Sequence, residues 1–201
     1  MDIFAKWMIE SRCRKGLLMH TFDKSLYPRG LAGLINDHTE CALDAGTQNH
    51  DVAAALESLD LRDAFAPQVI HDVLMAQACQ SGLLLLHNFL DLSHTVSQQI
   101  DTPTGSFWHG IMHRREGDYS NAKYWFRRVG AHPVLESLAV AAHRVCDSLF
   151  PDEKNWDPYA YIDCCEAAVR GATPNVLVLG QVARIEWELL FDFSYRRAVE
   201  T

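Results

Sequence analysis

Apolar residues recur at helical spacing along nearly the whole chain, and sustained strand-like alternation is missing, so this sequence is committed to an all-α fold. The clearest stretch predicts a helix over 67–98, where Val69, Ile70, Val73, Leu74, Ala78, Leu83, Leu86 and Leu90 share one face. The ambiguous apolar run at 176–179 joins a C-terminal helix because Val182, Ile185 and Leu189 continue its stripe. Pro103, Gly117, Pro133, Pro151 and Pro174 fall where helices should start or stop. The remaining predicted helices span 2–12, 25–44, 49–59, 105–116, 119–129, 133–149, 158–170 and 175–198, with Gly30 and Gly33 weakening the second of these. The expected architecture is an irregular helical bundle of about seven to nine helices, a single domain over 1–201.

Composition narrows the function classes. A chain of 201 residues with 48% hydrophobic and 22% charged residues has the balance of an ordinary globular protein. A net charge of -8 argues against nucleic acid as the main partner, since phosphate backbones reward a basic footprint. Apolar runs such as 83–86 are far short of the roughly 20 residues that span a bilayer, so no membrane partner is expected. The N-terminal stretch carries Asp2 and lacks the apolar core of a signal peptide, which predicts a cytoplasmic location. The six cysteines include no CxxC pair and fall largely within helical patterns, so they read as free thiols, without disulfides or a cysteine-based zinc site.

Two lines of ionisable residues carry the strongest chemical signal. His87, Asp91 and His94 stand at i, i+4 and i+7 on one predicted helix, and His109, His113 and Glu116 repeat that spacing on the next. Residues so spaced share a helix face. If the helices fold back on each other, His94 should lie near His109, Asp91 near His113 and His87 near Glu116. Imidazole and carboxylate donors suit a divalent metal such as zinc, iron, nickel or manganese, which gives all six residues as metal ligands. His109, His113 and Glu116 are also the expected catalytic residues, as general acid or base or beside a metal-activated water. Helical di-iron sites use a Glu-x-x-His spacing, and this chain has none.

Gly110, Gly117, Tyr119, Ala122 and Phe126, with Pro133 shortly after, form a pattern that resembles the core of a tetratricopeptide repeat. That resemblance implies a helix-turn-helix unit that stacks on copies of itself. The family places an aromatic where this chain has His113, and no second copy follows at the family's period of about 34 residues. A solitary tight hairpin is the alternative.

The same stretch is a basic island. Between 109 and 132 five basic residues face two acidic ones, a local +3 in an acidic protein. Arg114, Arg115, Arg127 and Arg128, with Asn121 and Tyr124, are therefore expected to bind a small anionic ligand, arginine offering a planar donor fork for carboxylate or phosphate. The alternative is separate pairing with surface carboxylates. Glu186, set among Val182, Ile185, Leu189 and Phe193, needs a buried partner and is counted with the ligand-binding group. Neither GxSxG nor a P-loop is present. These features point to an enzyme acting on a small polar or anionic molecule by metal-assisted hydrolysis. A non-catalytic small-ligand-binding protein and a helical interaction module remain the other classes.

Overall fold

The computed structural model describes residues 22–173 and 175–201. The expected helix at 2–12 lies outside the described residues. Among those described there is no strand, and the helices are α1 (Arg29–Ala32), α2 (Ala53–Glu57), α3 (Leu61–Phe65), α4 (Val73–Leu86), α5 (Leu90–Ser97), α6 (Pro103–Glu116), α7 (Tyr119–Val129), α8 (Pro133–Val145), α9 (Pro158–Val169) and α10 (Val176–Val199). The fold is all-α.

Local chemistry sets most boundaries. Thr102 caps α6 by accepting from the Gly105 N–H, with Pro103 in the first turn. Asp118 caps α7 through the Asn121 N–H, and Asp157 caps α9 through the amides of Tyr159 and Ala160. Each satisfies an amide that a helix start leaves without a partner. Gly117 ends α6 at φ 90°, a left-handed turn that a side chain would strain. Leaving α6 there, the chain doubles back directly into α7.

Two predicted helices are corrected. The 25–44 segment is helical only in a 3-10 turn at Lys24–Leu26 and over α1, and the chain then runs irregularly to residue 49. Gly30 serves packing instead of helix length: a Cβ there would sit 2.6 Å from the Ala64 Cα, so α1 lies directly on α3. The 67–98 segment begins its helix only at Val73, capped by Asp72, and breaks between α4 and α5. Asn88 makes that break at φ 66°, held by its Nδ2 donating to the Thr47 carbonyl at 2.6 Å and its Oδ1 accepting from Arg115 at 2.5 Å. A long-range tether has overridden the local helical pattern.

The core is organised around α6 and α10. Every residue from 104 to 115 is buried, because α6 packs against α4, α5, α7 and α9. Gly82 on α4 admits the Trp108 ring, where a Cβ would meet it at 2.8 Å. Trp108 donates to Ser194 on α10 and Trp187 donates back to the Gly82 carbonyl, so three helices interlock with both indole N–H groups satisfied. The stretch that resembles a tetratricopeptide repeat forms the α6–α7 hairpin, with Gly110 letting the Phe126 ring lie 2.9 Å from where a Cβ would stand. Cys41, Cys79, Cys164 and Cys165 are free thiols as expected, but Cys146 is disulfide-bonded, which corrects the expectation of no disulfides; Cys13 lies outside the described residues. No helix of the described residues is long and apolar enough to cross a membrane.

Candidate metal centre

The connection from α5 to α6 is short, so α5 packs against α6. His94 on α5 meets His109 and His113, which are one turn apart on α6. Ring centroids are 4.7 Å apart for His94 and His109, 5.4 Å for His94 and His113, and 4.6 Å for His109 and His113. One nitrogen from each ring lies within 4.8 Å of the other two. Trp125 of α7 completes the wall, its ring 4.1 Å from that of His109.

His109 and His113 are 2% and 5% exposed, whereas His94 is half-buried and opens the cluster to solvent. Burial, reinforced by the neighbouring His113 and His94, holds the His109 pKa down to about 3. Its Nδ1 is hydrogen-bonded to the Ser97 hydroxyl at 2.9 Å. His113 pairs through Nδ1 with Glu116, and the Asn121 amide lies 3.1 Å from its Nε2. Among the described residues, His109 Nε2 and both ring nitrogens of His94 have no hydrogen-bond partner. These free donors suit a cation. A tetrahedral zinc with nitrogens at about 2 Å would draw the three together to about 3.3 Å.

The arrangement is smaller than the two full triplets. His94 and His109 meet as expected, and Glu116 lies beside His113. His87 does not join them: it caps α4, its Nε2 donates to the Leu34 carbonyl at 2.6 Å, and its Nδ1 accepts from Asn49 at 3.2 Å. The break at Asn88 removes it from the register of His94. Asp91 is exposed on α5, and the metal-capable groups at this site omit it; Asp118 takes the second acidic place, grouped with His113 and Glu116.

The arginines do not converge, which corrects the expected anion pocket. Arg114 is buried against Glu186 of α10 in a two-pronged ion pair, with its guanidinium 4.7 Å above the Tyr161 ring. Burial works to lower its pKa, but the adjoining Glu186 carboxylate outweighs that and holds it above the ordinary value. Arg115 donates to the carbonyls of Asp44, Leu85 and Ala45 and to Asn88. Arg127 covers Tyr124, and Arg128 pairs with Asp101 at 3.0 Å while lying over Trp125. Glu186 is thus a structural partner, and Tyr124 is exposed with its ring edge-on to Trp125 at 5.6 Å. Asn121 alone of that group reaches the histidines.

Ser97 and Trp125 were not legible as site residues. Ser97 follows His94 by three positions, the spacing that puts both on one helix face, and that was the available signal. Trp125 reads in sequence as part of the α7 core stripe with Ala122, Phe126 and Val129, but it is only half-buried and covers His109 instead.

The chain matches no protein-family model, and searches of curated proteins and of solved structures give no match.

Proposed function

We propose that this protein is a zinc-dependent enzyme that hydrolyses a small polar molecule at the His94, His109 and His113 centre. The observation that carries the reading is the approach of three imidazole nitrogens to within 4.8 Å of one another on two helices. Three histidine ligands are a donor set that leaves a fourth position open for water or substrate. Zinc bound there would act as a Lewis acid and bring the pKa of a coordinated water near 7.

The chain's own residues have definite tasks in this reading. His109 is kept unprotonated by its burial and its histidine neighbours, so protons do not compete for it at neutral pH. Glu116 orients His113 through Nδ1, and its side chain is 38% exposed, so its outer edge can take a proton from water. Trp125 excludes solvent from one side. With Arg114 and Arg115 buried against other partners and Arg128 paired with Asp101, the substrate is polar without having to be anionic.

The test is zinc titration against a chromophoric chelator, followed by hydrolysis assays on a panel of small esters and amides with the zinc-loaded protein. One zinc per chain, lost in His109→Ala and His113→Ala while the helical circular dichroism persists, is the expected result. A wild-type chain that binds no zinc ends the reading, and zinc binding without turnover reduces it to a metal-binding protein.

A further inference from the structure

We infer that Ser97 is the positioning residue that selects the metal-binding tautomer of His109. This rests on the zinc reading above and deepens it. The Ser97 hydroxyl lies 2.9 Å from His109 Nδ1 and 3.3 Å from the backbone carbonyl of His94. A carbonyl oxygen can only accept, so the single hydroxyl proton is donated to His94. The hydroxyl oxygen then accepts, and His109 Nδ1 must be the donor. That places the ring proton on Nδ1 and leaves the lone pair on Nε2, the nitrogen without a protein partner.

The arrangement is rigid. Ser97 is 2% exposed and His109 is 2% exposed, so water does not compete for either bond. The same serine also fixes the last turn of α5, which carries His94, and thereby ties two of the three ligands to one hydroxyl. Glu116 does the corresponding work on His113 Nδ1, although the Asn121 amide, 3.1 Å from His113 Nε2, would have to give way to a metal there. Two ligands on α6 are thus each held by a partner at Nδ1, the outer-shell support that commonly raises metal affinity by 10- to 100-fold.

The experiment compares wild type, Ser97→Ala and Ser97→Thr for zinc affinity by chelator competition, for melting without metal, and for the His109 tautomer by long-range proton–nitrogen NMR. The expected result is a wild-type His109 proton on Nδ1, zinc binding weakened roughly 10- to 100-fold in Ser97→Ala, and recovery in Ser97→Thr. Cobalt substituted for zinc should show an altered visible spectrum in Ser97→Ala, which a merely structural loss would not produce. A wild-type ring protonated at Nε2, or Ser97→Ala binding zinc as tightly as wild type, overturns the inference while leaving the zinc reading intact. A wild type that binds no zinc overturns both.

Discussion

Arg114 and Glu186 face each other in the interior as a two-pronged ion pair, 72 residues apart in sequence and 2% and 0% exposed. Removing one member leaves the other charge buried without compensation. Glu186→Ala should therefore lower stability by about 3 to 5 kcal/mol, read from urea denaturation. The paired replacement Arg114→Met with Glu186→Leu should recover much of that loss. A Glu186→Ala protein as stable as the parent would mean that water reaches the guanidinium.

Phe126 and Gly110 give a second test, aimed at the α6–α7 hairpin. Gly110→Ala would place a methyl 2.9 Å from the Phe126 ring, a buried side chain with limited room to yield. Overpacking of this kind costs about 1 to 3 kcal/mol. Gly105→Ala should be worse, because its methyl would meet the Ile100 backbone carbonyl at 2.1 Å. The ranking is checked by comparing urea midpoints, with Gly105→Ala below Gly110→Ala below wild type.

Acid should destabilise the fold through His132. This ring caps α8, packs between Phe107 and Phe193, and has its pKa pushed down by burial from 6.5 to about 4. The folded state resists the proton that the unfolded chain accepts at 6.5. Stability is therefore full above that pH, falls as pH drops toward 4, and levels off below. The contribution is about 3 kcal/mol at most. His132→Asn keeps a capping side chain without the titration, so its unfolding free energy should change less between pH 7 and pH 4 than that of wild type.

His113→Ala and Phe126→Ala should separate site from core. Loss of the buried Phe126 ring is expected to cost about 3 to 5 kcal/mol. His113→Ala should abolish zinc uptake with a smaller loss of melting temperature. Equal melting losses from the two, with no zinc in the parent, would make the histidines structural.

The sequence announced the parts of this fold that local chemistry decides. Pro103, Gly117 and Pro133 punctuate the chain where helices begin and end, whereas Pro151 falls in the irregular stretch between α8 and α9, and the matched spacing of His94 and His109 about their turn anticipated their contact. The parts it concealed are decided by distant partners. Asn88 turns against its helical surroundings because Thr47 and Arg115 hold it, and His87 beside it is held by Leu34 and Asn49. Arg114 and Arg115 read as part of an anion-binding island, but α6 is enclosed by four other helices and both are buried. Periodicity reports which face of a helix is apolar; it does not report how many neighbours surround that helix.

Arg115 also changes what the stretch at 44–46 is. That segment is exposed and non-helical, yet two of its carbonyls help solvate a guanidinium that has no carboxylate partner among the described residues. Lifting it away would strand a charge beneath it. Its opening is thereby tied to disruption of the α4–α6 packing, so a protease should find these residues as slow to yield as the interior they cover, despite their place on the surface.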